Sequence, residues 1–244
     1  MSDVKTKIGV MIATPVRYWK GIEQFHQDFR DMLALLTKLT NDDTCPYEFQ
    51  FCAQTKGVCR ARNEIVGNFR KQRRFNPSLK WLVWLDDDIA AETPEAMVSA
   101  ILRLLSHKRP IVGALYCRRK DPPIWVANFA FQAEVEENGL LQVVESGIGF
   151  KAYHFQVWDI LAEMYPTLKY FDRDSGEEFY AYFQQVVMNE DAPPEDYFLD
   201  WLCRQAASRV KGMGIFVDTT LKMKHRGADG TLYPEAWPPI PGID

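Results

Sequence analysis

Lys80-Trp81-Leu82-Val83-Trp84-Leu85-Asp86-Asp87-Asp88-Ile89 is the stretch on which the reading of this chain turns. Trp81 to Leu85 is apolar and aromatic enough for a strand buried on both faces, and it ends abruptly in three carboxylates. Three adjacent like charges are costly unless something cationic holds them. Side chains alternate along an extended segment, so Asp86 and Asp88 point the same way and can share one hard divalent cation, while Asp87 faces elsewhere. In open α/β sheets ligands bind at the carboxyl ends of strands, so position and chemistry agree on an Asp-x-Asp clamp. The competing reading is a solvated acidic turn before a helix that starts near Thr93 and Pro94. A strand this hydrophobic, followed by three acids and no glycine, argues against it.

Before this strand, Ile8 to Ala13 reads as a short buried strand stopped by Thr14-Pro15, with a polar and aromatic loop from Val16 to Lys20. Ile22, Phe25, Phe29, Met32, Leu33 and Leu36 recur at the spacing of one helical face. Tyr47, Phe49 and Phe51 alternate with Glu48 and Gln50 as a strand would. Arg60 to Arg74 reads as a helix with Ile65, Val66 and Phe69 inside, and with Arg60, Arg62, Arg70, Lys71, Arg73 and Arg74 exposed at its ends.

After it, Pro94 to Ser106 is a helix with Thr93 as N-cap, Pro94 at the first helical position and Met97, Ile101, Leu104 and Leu105 as its apolar face. Pro110 to Tyr116 is another buried strand. Phe129 to Val135 and Leu140 to Val144 flank Asn138-Gly139, a hairpin signal. Ser146-Gly147-Ile148-Gly149-Phe150 is a glycine-bearing turn before a helix around Phe155 to Met164; it suits either close backbone approach to a ligand or a plain tight turn. Asp172 to Asn189 reads as a mobile acidic and aromatic loop. Phe198, Trp201, Leu202 and Gln205 share a helical stripe, Ile215 to Val217 is a strand, and a proline-bearing tail from about 228 to 244 is extended. The expected fold is α/β: one domain over 1–244, a mostly parallel, Rossmann-like sheet flanked by helices, with a small antiparallel hairpin insertion.

An apolar fraction of 47% over 244 residues is enough for a sizeable core. The amino-terminal residues show neither a signal peptide nor a membrane span, so the expected location is cytoplasmic. Five cysteines without a Cys-x-x-Cys pair argue against a disulfide framework and a zinc knuckle. The net charge of −4 does not advertise a nucleic-acid binder, although basic residues cluster between Lys56 and Arg74 and at Arg118-Arg119-Lys120.

Four signals stand in a fixed order: Thr14-Pro15 after the first strand, Arg60-Ala61-Arg62-Asn63, the Asp86 to Asp88 run, and Glu195-Asp196 followed by His225. With the glycine turn, this order resembles the GT-A glycosyltransferases, especially family 2-like inverting members, phage-type enzymes among them. The resemblance covers Ile8 to about Gly227. It implies a nucleotide-diphosphate sugar donor, with UDP as the expected nucleotide, lying over the strand ends and held through Mn2+ or Mg2+. Asp86 and Asp88 would be the metal clamp and His225, in a His-x-Gly, a third ligand. Thr14, Arg62, Gln54, Asp86, Asp87, Gly147 and Gly149 would bind the donor, with Tyr18 or Trp19 stacking on the base. Gln54 stands where many relatives have an acid, a departure that bears on uridine recognition. Asp196 would take the proton from the acceptor hydroxyl, with Glu195 assisting. Apart from the resemblance, both acids are ordinary first-turn residues that the helix dipole favours. No second carboxylate for a covalent intermediate is evident, which favours a single inverting displacement.

The acceptor is a glycan, a protein or a hydroxymethylated pyrimidine in phage DNA. Lys56, Arg60, Arg62, Arg118, Arg119 and Lys120 would guide a phosphate backbone, and Trp125 and Phe129 would stack on an extruded base. A metal-dependent phosphohydrolase or nuclease could use Asp86, Asp88 and His225, but it has no need of Glu195-Asp196. A nucleotidyltransferase usually carries a glycine-rich basic loop after its first strand, where this chain reads Ala13-Thr14-Pro15-Val16-Arg17.

Overall fold

Trp81 to Leu85 is a strand with both faces covered, and its alternation separates two layers. The computed structural model describes residues 6–16, 23, 25–119, 121–130, 133–173, 175–185, 195–227 and 229–240. In chain order the elements are β1 (Ile8–Val16), α1 (Gln27–Thr40), β2 (Tyr47–Thr55), α2 (Val58–Phe75), β3 (Leu79–Leu85), β4 (Ile89–Ala90), α3 (Pro94–Ser106), β5 (Ile111–Tyr116) and β6 (Ala127–Phe129). They continue with β7 (Leu140–Ser146), β8 (Phe150–His154), α4 (Phe155–Met164), β9 (Lys169–Phe171), β10 (Glu178–Tyr180), α5 (Glu195–Ala207), β11 (Ile215–Arg226) and β12 (Leu232–Tyr233).

Among the described residues the main sheet has the order β2-β1-β3-β8-β5-β11-β7-β6, with β4 and β12 pairing on β11. Strands β2, β1, β3, β5 and β11 run the same way, and β8 is reversed between β3 and β5. Val10, Ile12, Trp81, Val83 and Leu85 pack with α1 and α3 on one face. Met11, Ala13, Leu82 and Trp84 pack with α2, α4 and α5 on the other. Each fully buried side chain of this size contributes about 1.5–3 kcal/mol by leaving water. Thr93 caps α3 by accepting the Ala96 N–H at 3.1 Å, with Pro94 beside it. No helix among the described residues is long and apolar enough to cross a membrane.

Several boundaries differ from the sequence reading, each for a physical reason. Strand β1 runs through Thr14-Pro15 to Val16, because pairing with β3 has ended at Ala13 while pairing with β2 continues to Val16. Proline therefore sits where only one neighbour remains. Helix α1 begins at Gln27 rather than Ile22, which is outside the described residues; Phe25 instead stacks on Phe29, with ring centroids 4.7 Å apart. Strand β8 was not expected: Phe150-Lys151-Ala152-Tyr153-His154 is short and carries a lysine at its middle, yet it is buried between β3 and β5.

The Asn138-Gly139 turn forms, with Gly139 at φ 86° and its N–H on the Glu136 carbonyl. Its hairpin joins the main sheet, however, and the first strand ends at Phe129, with a Val135–Leu141 bridge beside the turn. The separate antiparallel pair is β9–β10, partly in the stretch read as a loop. Strand β11 continues past Val217 to Arg226 after a register shift between Asp218 and Lys222. The tail is tied to the sheet: β12 pairs with β11, and Trp237 stacks on Trp125 at 5.4 Å. Arg62, expected at an exposed helix end, is buried.

One carboxylate fixes the middle of β11. Asp218 is fully buried and accepts from Arg103 Nε (2.5 Å), Thr220 N (2.9 Å) and Thr220 Oγ1 (2.6 Å), with His107 Nε2 at 2.7 Å. Burial alone would raise its pKa, but the Thr220, Arg103 and His107 hydrogen bonds outweigh it and hold the carboxyl below its ordinary value. A folded pKa below the unfolded one contributes stability that is present above about pH 4 and is lost as pH falls through the folded value. Asp218→Asn is expected to cost about 1–3 kcal/mol at neutral pH and to flatten the acid-side decline. Urea melts at pH 7 and pH 3 check this: an unchanged slope below pH 4 would exclude Asp218 as a source of acid sensitivity.

Candidate active site

The three acids occupy the turn between β3 and β4. The Asp86 N–H donates to the Gly149 carbonyl (2.8 Å) and the Ile89 N–H to the Asp86 carbonyl (3.1 Å), so the turn is tied to the glycine segment and closed on itself. Asp86 faces α2, where Arg62 Nη2 lies 3.0 Å from its Oδ2. Asp87 lines a small cavity on the other side with His26, Asp28, Thr93 and Arg226. Strand β4 then pairs Ile89 with His225 of β11, and the Arg226 N–H donates to the Asp88 carbonyl at 2.6 Å. Backbone pairing therefore places His225 beside Asp88, with Nε2 3.5 Å from Asp88 Oδ1. Arg119 Nη2 lies 3.2 Å from Asp88 Oδ2.

Gly147 and Gly149 serve the protein's own tyrosine, not an open approach to a ligand. A Cβ at Gly147 would stand 2.0 Å from the Tyr116 hydroxyl, and one at Gly149 3.0 Å from it. The Gly149 N–H donates to that hydroxyl at 2.9 Å, and the Tyr116 ring meets His225 edge-on at 5.3 Å. Between the glycines, the Ile148 N–H donates to Asp196 Oδ2 at 3.2 Å, which docks the start of α5 on the turn. One helical turn later Asp200 is fully buried; it accepts the Ser146 N–H (2.7 Å) and both its oxygens lie 2.9 Å from Lys151 Nζ. Asp196 and Asp200 thus stand on one face of α5, the second anchored and the first held by a single backbone donor. The side chain of Glu195 is outside the described residues.

Among the described residues, four acids meet here: Asp86, Asp87, Asp88 and Asp196, with Arg62 on Asp86 and Arg119 on Asp88. Burial pushes the Asp86 carboxyl above its usual range, Asp88 and Asp196 add to the rise, and Arg62 opposes it. Burial, then Asp88 and Asp86, raise Asp87. For Asp88 burial also works upward, but His225 and Arg119 outweigh it and hold its carboxyl low. Burial, then Asp196 and Asp86, push the Tyr116 phenol well up. Two carboxylate oxygens, Asp88 Oδ1 and Asp196 Oδ1, are buried without a hydrogen-bond partner, which is costly in a folded protein.

These features suit a hard divalent cation. The His225 Nδ1–H donates to the Cys117 carbonyl at 3.0 Å, which turns Nε2 toward the Asp88 carboxylate. The gap between Nε2 and Oδ1 takes either a proton or a cation, and an imidazole anchored through its other nitrogen is the usual form of a metal-ligating histidine. Asp86, Asp88 and His225 supply oxygen and nitrogen donors of the right kind. Among the described residues no three His, Cys, Asp or Glu side chains already converge as a cage; arginines occupy Asp86 and Asp88 instead.

Several of the expected donor-binding residues are engaged by the protein itself. Thr14 is fully buried and its hydroxyl donates to the Leu85 carbonyl at 2.7 Å, tying β1 to the end of β3 rather than facing a ligand. Gln54 Nε2 donates to Glu64 at 2.5 Å. Glu64, which the sequence reading did not single out, is a buried acid that also meets Lys56 (2.5 Å) and Arg60 (3.0 Å). Arg60 pairs with Asp172 as well. Lys56, Arg60, Arg62 and Arg119 are therefore engaged by carboxylates rather than arrayed as a phosphate-tracking stripe. Trp125 is buried, stacks on Trp237 and donates to the Pro239 carbonyl at 3.0 Å, so it is not placed to stack on an extruded base. Tyr18, Trp19 and Lys120 lie outside the described residues.

No protein-family model matches the chain, and no curated protein matches it. Among solved structures it is similar to A197 from STIV, with 13% identity over 96% of this chain and 99% of that one at a TM-score of 0.49. It is also similar to a glycosyltransferase involved in the glycosylation of the major capsid of PBCV-1, with 10% identity over 64% of this chain and 66% of that one at 0.35. Apo UDP-glucose pyrophosphorylase shares 14% identity over 89% of this chain and 75% of that one at 0.41. Similarity this distant leaves the chemistry of the site to be read from its own residues.

Proposed function

We propose that the chain is a divalent-cation-dependent glycosyltransferase that moves a sugar from a nucleotide-diphosphate sugar to an acceptor hydroxyl with inversion. The observation that carries this reading is the pair of buried, unpartnered carboxylate oxygens on Asp88, in the turn after β3, and on Asp196, docked on the glycine segment that is tied to the same turn. Asp86, Asp88 and His225 would hold Mn2+ or Mg2+, which when bound stabilises the charge that develops on the departing diphosphate. Asp196 has the separate task. Its Oδ2 is fixed by the Ile148 N–H, which aims Oδ1 as a proton acceptor for an alcohol that is a poor nucleophile on its own. Tyr116, under the glycine turn, keeps that donor in place. Assigning Asp86 and Asp88 to the cation and Asp196 to the proton is the division of labour that a single displacement needs.

The acceptor is a glycan, a protein or a hydroxymethylated pyrimidine in DNA, and each of these belongs in the panel. The test incubates the protein with several nucleotide sugars and Mn2+ and follows release of nucleoside diphosphate. The expected result is cation-dependent release, an inverted anomer in the product's NMR spectrum, and loss of at least about 100-fold in rate for Asp88→Asn. Release of inorganic phosphate would favour the hydrolase instead, and transfer undiminished by strict chelation would remove the metal.

A further inference from the structure

We propose that Arg119 is a built-in stand-in for the cation: it occupies Asp88 until a divalent ion arrives, and its released guanidinium then binds the diphosphate of the donor. This rests on the cation reading above and adds a residue that the sequence reading placed only among possible DNA contacts. Asp88 Oδ2 is held by Arg119 Nη2 at 3.2 Å, while Asp88 Oδ1 faces His225 Nε2 with no hydrogen-bond partner. A divalent ion bridging Asp88 and His225 would stand beside a cation already on the same carboxylate. Two positive charges sharing one acid repel, so one of them has to move or gain a counter-anion.

Arg119 is able to move. Its side chain is 45% exposed, and its second tie, from Nη1 to the Arg226 carbonyl, is a long 3.3 Å bond. It lies just past the end of β5, where Cys117 bridges to Trp125 and the Arg118 N–H donates to the Ile124 carbonyl, so its backbone stays anchored beside the site while the side chain swings. A planar guanidinium leaving a carboxylate next to a metal finds its best new partner in the phosphate oxygens that the same metal attracts. Cation and diphosphate therefore bind cooperatively: the cation alone has to displace Arg119, whereas the two together give it an anion.

The experiment titrates the full chain with MnCl2, reading free Mn2+ by electron paramagnetic resonance. It then titrates inorganic diphosphate calorimetrically at saturating Mn2+. Removing the competitor in Arg119→Ala is expected to tighten binding of Mn2+ alone by about 3- to 10-fold and to weaken diphosphate by a similar factor, an inversion of sign that simple loss of structure does not produce. Arg119→Gln, which keeps the length without the charge, should behave alike, and neither change should affect Mn2+ binding in an Asp88→Asn background. Mn2+ binding that depends on Asp88 but is unaltered or weakened in Arg119→Ala overturns the exchange and leaves the cation reading standing. Absence of Asp88-dependent binding in every variant overturns both.

Discussion

Asp196→Asn is expected to lower kcat by about 10²- to 10⁴-fold while the donor's KM stays within a few-fold of the parent. The amide keeps the shape of the carboxylate, and its carbonyl can still accept the Ile148 N–H that docks α5 on the glycine turn. What it loses is basicity at the oxygen that has no partner, Oδ1. An alcohol attacking an anomeric carbon has to shed its proton as the bond forms, and an amide NH2 at that place cannot accept it. The loss should therefore appear at saturating donor and acceptor, and direct titration should find Mn2+ binding little changed. If kcat stays within threefold of the parent, Asp196 is not the base. If Mn2+ binding drops instead, it is a ligand.

Lys151→Met is expected to destabilise the protein by about 3–5 kcal/mol, because it strands the Asp200 carboxylate in the core. Lysine and acid are both essentially inaccessible, and Lys151 Nζ meets both Asp200 oxygens and the Ser146 carbonyl at 2.9 Å. Burial presses the Asp200 pKa upward, with Lys151 and the Ser146 N–H working against it. For a chain of this size the loss corresponds to a melting temperature lower by on the order of 10 °C. Asp200→Leu in the Lys151→Met background should recover much of it, since two apolar groups of similar volume leave no charge behind. A double variant no more stable than Lys151→Met would show that the geometry of the pair, rather than the stranded charge, carries the cost.

This pair also explains where the sequence was opaque. The Asp86 to Asp88 run was legible because a doubly buried strand that ends in acids has a strong pattern. Thr93 and Pro94 were legible because capping is local. Strand β8 was hidden because Lys151 reads as a solvent-facing residue, and only Asp200, about fifty positions later, neutralises it. Tyr116 reads as the apolar end of a buried strand, and its hydroxyl acquires meaning only when the two glycines close over it. The continuation of β11 did leave a trace, since Leu221, Met223 and His225 alternate with Lys222, Lys224 and Arg226, but charge masked the period. Arg62 was placed outside because helix ends are usually solvated; its partner, Asp86, sits on a different element. For β8, Tyr116 and Arg62 the missing information was a partner distant in sequence.

The short pairing of β4 with β11 carries a consequence for how the site comes into being. Asp88 and His225 are neighbours because Ile89 pairs with His225 and the Arg226 N–H meets the Asp88 carbonyl, a contact that closes most of the chain into a loop. Long closures of this kind form late, after nearer contacts have restricted the chain. A chain in which this pairing has not formed has three acids and no histidine beside them, and on the cation-dependent reading proposed above it would hold the ion less tightly. A cation bound there would then favour the fully assembled state by mass action and give little help to anything short of it.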